Sequence, residues 1–175
     1  MGPNSAIRSI WKNLTRLQAK LTFIIMIILP FMVFIQVLLR YVFRVPLMGI
    51  EELMIYPIIW LYMLGGANAS LERNHISCGI LTLYIKRERT MQIFNITKAL
   101  VSLGVSLWLT YWSYWYFLYS LKVWKYTDLV KVPLFFGESA LFIGLTLMTI
   151  YTAVELVDYI QIFARSLRKE KEELS

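Results

Sequence analysis

Uncharged apolar runs alternate with short polar or basic segments along this chain. Residues 21–39 and 53–71 each hold 19 residues without a charge, and residues 99–121 hold 23. Residues 139–154 hold 16 more, and the apolar pattern continues past Glu155 and Asp158 to Phe163. A helix needs about 20 mostly apolar residues to cross a bilayer. The pattern therefore predicts an all-α membrane protein, one domain over residues 1–175. Its four spans fall at about residues 21–43, 52–71, 95–120 and 139–163, and residues 164–175 form a mixed-charge solvated tail.

The segments between the runs predict how the spans connect. Before the first, Ile7, Ile10, Trp11, Leu14, Leu17 and Leu21 recur at helical spacing, while Arg8, Lys12, Arg16 and Lys20 fall largely on other faces. Residues 1–20 thus read as a basic amphipathic helix on an anionic leaflet, or as an extension of the first span. The first run is longer than the apolar part of a leader peptide, and bulky residues follow it. An uncleaved first span is expected. Pro46 and Gly49 break the chain after it, and Glu51 and Glu52 then suit the positive end of a new helix. Spans one and two are expected to form a tight antiparallel hairpin. Arg40 can reach the two glutamates there as a salt-bridged clamp, or each side chain can reach water alone.

Further along, Gly65/Ala69 and Gly66/Ser70 are small residues four apart. They permit close approach of another helix, either inside the bundle or from a partner. Residues 76–85 are uncharged but too few to span. They read as a helix along the membrane surface, with Lys86 and Arg87 at the headgroups. The third run ends in a dense aromatic stretch that includes Trp112 and Trp115, the composition of an interfacial belt. Residues 122–138 form the longest loop at the far end and suit docking of an external protein.

Composition narrows the class. Apolar residues make up 58% and charged residues 17%, with mean hydropathy +0.59. That balance excludes disorder and argues against an ordinary soluble domain. The net charge of +7 comes from lysines and arginines placed between apolar runs, so it reads as membrane topology and not as a nucleic-acid surface. Thirteen of the 18 lysines and arginines flank the spans on the side of the two termini, and five lie on the other. The bias predicts cytoplasmic termini.

Little reaction chemistry is available. The single Cys78 and single His75 exclude an internal disulfide, a cysteine-based metal centre and bis-histidine haem ligation within one chain. Neither a P-loop nor a dinucleotide-binding glycine loop is present. No catalytic, cofactor or metal residue is assigned. A membrane redox subunit would need clustered ligands on facing helices. A self-contained small transporter working as a homo-oligomer would need a deep polar group, for which Gln36 is the candidate.

The order Leu39-Arg40-Tyr41-Val42-Phe43, Pro46, Glu51-Glu52-Leu53, Tyr56, Trp60-Leu61, Leu64-Gly65, Ala67 and His75-Ile76 resembles the small "Q" (DctQ-type) membrane subunit of TRAP transporters, the tripartite ATP-independent periplasmic transporters. The resemblance implies a non-enzymatic scaffold in the bacterial inner membrane. Its partners would be a large membrane subunit (M), a periplasmic substrate-binding protein (P) and lipid. Sodium would bind the large subunit and not this chain. The substrate would be an organic acid such as sialic acid or a C4-dicarboxylate. On this reading Arg40, Tyr41, Pro46, Glu51, Glu52, Trp60, Gly65 and His75 serve the hairpin and the seam with M. Trp11, Arg8, Lys12, Lys86, Arg87, Trp112 and Trp115 meet the lipid interface.

Overall fold

A computed structural model describes residues 3–44, 48–72 and 88–173. Among these residues are four helices: α1 (Pro3–Tyr41), α2 (Met48–Leu71), α3 (Glu88–Val123) and α4 (Phe135–Glu173). Each contains a stretch long and apolar enough to cross a membrane, and the chain is an all-α membrane protein. The expected surface segment at residues 76–85 lies outside the described residues.

The helices run longer than the uncharged stretches that mark them. α1 holds 39 residues, about 58 Å at about 1.5 Å per residue, against a hydrocarbon core of about 30 Å. The basic N-terminal segment and the first span are one continuous helix, the second of the two arrangements the sequence allows. Likewise, residues expected as a solvated tail continue α4 to Glu173. Pro30 and Pro57 sit inside α1 and α2, where each removes the amide that the carbonyl four residues earlier would accept.

Packing runs from α1 to α2, from α2 to α4 and from α4 to α3. The layer thus follows an order different from the chain, with α4 inside and α1 and α3 at its edges. Edge helices turn bulky apolar side chains outward: Phe23, Met26 and Phe31 on α1, and Leu100, Val101 and Trp108 on α3. Lipid solvates such a surface as well as a neighbouring helix does. Association therefore relies on close packing and interhelical hydrogen bonds. Small residues make up much of the buried set, with Ala67 and Ser70 on α2, Ala99 on α3, and Ala140 and Thr152 on α4, beside the larger Leu64 and Tyr151.

The two small-residue pairs of α2 divide between faces. Gly66 and Ser70 face α4. A Cβ at Gly66 would collide with the Met148 methyl, and Ser70 Oγ lies 3.3 Å from Thr152 Oγ1. At Gly65 a Cβ would meet nothing within 4 Å. The tightest crossing is Gly144 of α4 on Met63, where a Cβ would stand 2.6 Å from the Met63 Cβ and 3.2 Å from its Cα.

Hydrogen bonds fasten both edge helices. Gln18 of α1 is buried, donates to Asn68 Oδ1 at 2.8 Å and to the Leu64 carbonyl at 3.4 Å, and accepts from the Tyr151 hydroxyl. Asn68 Nδ2 donates to Thr22 Oγ1 at 3.1 Å. One glutamine therefore joins α1, α2 and α4. On the other edge, the hydroxyls of Thr110 and Thr149 pair at 2.8 Å across α3 and α4.

Gly144→Ala pushes a methyl against backbone that cannot rotate away. It is expected to destabilise the purified chain by about 1–3 kcal/mol, the usual cost of overpacking, read as a lower Tm in one detergent. Gly65→Ala and Gly104→Ala, which meet open space, leave Tm unchanged or slightly raised. Equal melting of all three variants would remove the α2–α4 crossing as the tightest constraint.

Candidate interaction site at the hairpin end

The end of the layer that carries the α1–α2 and α3–α4 connections holds Arg40, Tyr41, Glu51, Glu52 and Trp60 of the residues singled out in the sequence. α1 closes with the Val42 and Phe43 amides both donating to the Leu38 carbonyl, at 2.9 and 3.3 Å. Arg44 follows with φ of 51°, a left-handed conformation that ends the helix. α2 then begins within a few residues and presents Glu51 and Glu52 in its opening turns.

The two glutamates have different partners. Glu51 Oε1 accepts from Gln36 Nε2 at 2.9 Å, which ties α2 to α1. Glu52 reaches the opposite connection. Its Oε1 accepts from the Leu129 amide at 3.0 Å, and its Oε2 from the Val130 amide at 3.0 Å. The Arg40 guanidinium lies 5.9 Å from the ring centre of its neighbour Tyr41. No ion pair joins Arg40 to either glutamate among the described residues, so the clamp considered from the sequence does not form. Loop amides and a glutamine occupy the carboxylates instead.

The α3–α4 loop is built to receive Glu52. Trp124 and Lys131 adopt φ of 44° and 59° and reverse the chain. Between them the Thr127 amide donates to the Val132 carbonyl at 3.0 Å, and the Leu134 amide to the Lys125 carbonyl at 2.9 Å. An isolated antiparallel bridge pairs Tyr126 with Pro133. The tip of this short ribbon therefore turns the Leu129 and Val130 amides outward from its own pairing, toward α2.

Residues four apart on one face of α2 extend the contact. The Tyr56 hydroxyl donates to the carbonyls of Val132 and Pro133 at 3.2 and 3.3 Å. Trp60 Nε1 donates to the Phe136 carbonyl at 2.9 Å. Glu52, Tyr56 and Trp60 thus form a ladder that satisfies backbone groups from the loop tip into the first turn of α4. Two glycines let the surfaces meet: a Cβ at Gly49 would stand 2.9 Å from Val130 Cγ2, and one at Gly137 3.4 Å from Tyr56 Cδ1. On the far side of α4, Glu138 accepts from Tyr116 Oη at 2.6 Å and from the Ser120 hydroxyl. The loop is held from both flanks.

The remaining sequence candidates lie apart from the ladder. Gly65 is on the open side of α2. Trp112 and Trp115 are exposed on α3, where each ring meets Tyr111 edge-on at 6.2 and 6.4 Å. Lys12 is exposed on α1. Trp11 is half-buried and meets Tyr151 edge-on at 5.3 Å at the opposite end, where the continuous α1 carries it alongside α4. Pro46, His75, Lys86 and Arg87 fall outside the described residues, as does the side chain of Arg8. Sequence reasoning passed over Gln18, Asn68 and Tyr151. Their signal is polar groups within or beside the apolar runs, and Gln18 falls in the segment that reads either as a surface helix or as an extension of the first span. Among the described residues no group of three or more His, Cys, Asp or Glu is placed to hold a metal ion.

Residues 29–161 match the family model described as tripartite ATP-independent periplasmic transporters, DctQ component. The matched stretch takes in the hairpin, the ladder, the whole of α3 and most of α4. No curated protein matches the chain.

Hydrogen bonds to a charged group are worth about 1.5–3 kcal/mol, so Glu52→Ala is expected to speed amide exchange at Leu129 and Val130 by about tenfold or more. Glu51→Gln leaves those amides as they are, since its carboxylate meets Gln36. Unchanged exchange in Glu52→Ala would mean the ribbon holds itself.

Proposed function

This chain belongs to the DctQ family, the small membrane component of tripartite ATP-independent periplasmic transporters, and from that premise we propose that it is a fixed scaffold for the large membrane subunit. The scaffold enlarges and anchors the static part of that subunit in a bacterial inner membrane. The large subunit carries sodium and an organic acid, such as sialic acid or a C4-dicarboxylate, delivered by a periplasmic binding protein.

The observation that carries the reading is the family match over residues 29–161. Internal bonding supports it. Gln18 bonds both Asn68 and Tyr151, and Gln36, the candidate for a deep transport group, is bound to Glu51. These are joints between helices and not steps along a path. The thirteen-to-five bias of lysines and arginines supports cytoplasmic termini. With that orientation the Glu52 ladder and the ribbon at residues 125–134 stand at the periplasmic face, where they suit contact with the binding protein.

Purification from native membrane in mild detergent is expected to yield a larger, very hydrophobic subunit in equal amount. That pair, reconstituted with a periplasmic binding protein, takes up an organic acid only along an inward sodium gradient, and this chain alone takes up none. Recovery of this chain as a stable homo-oligomer that transports by itself would overturn the scaffold role.

A further inference from the structure

Beside the last turn of α2 a polar cavity of about 190 Å³ opens among three helices. Trp11 of α1, Ser70 and Leu71 of α2, and Tyr151, Glu155 and Asp158 of α4 line it. Its volume is well above the roughly 30 Å³ that one water takes in the liquid. α2 holds 24 residues, about 36 Å of helix, against about 30 Å of hydrocarbon. The last turn of α2, and the cavity with it, therefore lie at the headgroup level of one leaflet.

The lining calls for a cation. Glu155 is 6% exposed. Among the described residues the one hydrogen bond to its carboxylate comes from the Tyr159 hydroxyl, at 3.0 Å on Oε1, and Oε2 accepts none. No lysine, arginine or histidine is among the described residues that line the cavity. A buried carboxylate is costly unless it is paired. The carbonyls that close α2 add the negative end of a helix dipole beside it. The Trp11 and Tyr151 rings, set at 81° to each other, supply aromatic wall that attracts positive charge.

The other polar groups narrow the kind of cation. The Ser70 and Thr152 hydroxyls meet each other at 3.3 Å, the Thr152 hydroxyl donates to the Met148 carbonyl, and the Tyr151 hydroxyl donates to Gln18. Among the described residues no group of three or more His, Cys, Asp or Glu is placed to hold a metal ion. Calcium and magnesium take six or more oxygens, and this lining builds no such cage. A primary ammonium carries three donors of its own. It needs an acceptor and gains from an aromatic face. At headgroup depth the abundant carrier of that group is an aminophospholipid. Its phosphate stays outside the cavity, on the side where α1 exposes Lys12, next in the chain to Trp11, and Arg16 one turn further on.

We infer that this cavity receives the ammonium of phosphatidylethanolamine, with Glu155 Oε2 as its acceptor. The inference needs only the membrane fold and does not depend on the scaffold role.

Lipid retention tests it. The protein is purified from native membrane with whatever subunit accompanies it, delipidated, and offered phosphatidylethanolamine, phosphatidylglycerol and phosphatidylcholine of the same acyl chains. Bound lipid is counted by native mass spectrometry. A hydrogen bond to a charged group supports a preference for phosphatidylethanolamine of about tenfold or more, and Glu155→Gln is expected to bring that preference to about one. The N-monomethyl and N,N-dimethyl lipids give a second reading that needs no variant: retention falls with each methyl that replaces an N–H. Free ethanolamine at the same concentration is expected to leave the lipid in place. Equal retention of the three lipids, retention of none, or a preference that survives Glu155→Gln overturns the inference. Retention indifferent to methylation overturns it as well, even where Glu155→Gln does not fold. Displacement by free ethanolamine assigns the cavity to a soluble amine and overturns the lipid.

Discussion

The carboxylate of Glu52, set on the amides of Leu129 and Val130, joins the opening of α2 to the connection that leads into α4. Around it the molecule meets the demand that a membrane makes of any connection: backbone polar groups near hydrocarbon need partners. A loop that turns twice through left-handed residues exposes several such groups. Glu52, Tyr56 and Trp60 supply three partners in a row from one helix face, so α2 acts as the template on which the ribbon and the first turn of α4 are laid. The α2–α4 crossing continues from that contact down to Gly144 and Gly66.

Two means of adhesion serve two parts of the layer. At the centre, α2 and α4 approach through glycine, alanine and serine, where contact between backbones replaces the contact between large side chains that holds a soluble core. At the edges, α1 and α3 turn many bulky residues outward and attach through hydroxyls and amides together with ring contacts, Trp11 on Tyr151 and Phe117 on Phe142. Gln18 is the extreme case. It is 4% exposed, and its side-chain amide touches α2 and α4 from a helix that is wholly apolar only over residues 23–35. Losing it would leave Tyr151 and Asn68 facing an unfilled polar site.

Much of this was legible in the residues. Uncharged runs located the four spans, because hydrocarbon excludes charge whatever the tertiary arrangement. The Arg40-to-His75 motif marked the family, and the match over residues 29–161 establishes it. Partners were harder to read. Glu52 was weighed against Arg40, a near neighbour in sequence, yet it meets amides 77 and 78 positions away. No local spacing encodes which loop a helix face will meet. Gly65 and Gly66 were read as parts of equivalent pairs, but adjacent residues on a helix point about 100° apart, so one is packed and the other is open. The N-terminal segment showed both charge and apolar periodicity, which fits a surface helix and a protruding span equally. Continuity of the backbone decided it.

The order of packing has a consequence for biogenesis. α3 is made before α4, yet its substantial packing is with α4 alone. During synthesis α3 therefore enters the bilayer with no established seat and is solvated by lipid on all sides until the next helix arrives. Its outward aromatic stretch suits that interval, since it holds the helix at one interface without help from a neighbour. The first two helices can close as a hairpin early, whereas α3 finds its packing partner only once α4 is made. The late-made helix is the one that completes the wall, and the loop that Glu52 captures is the latch that closes behind it.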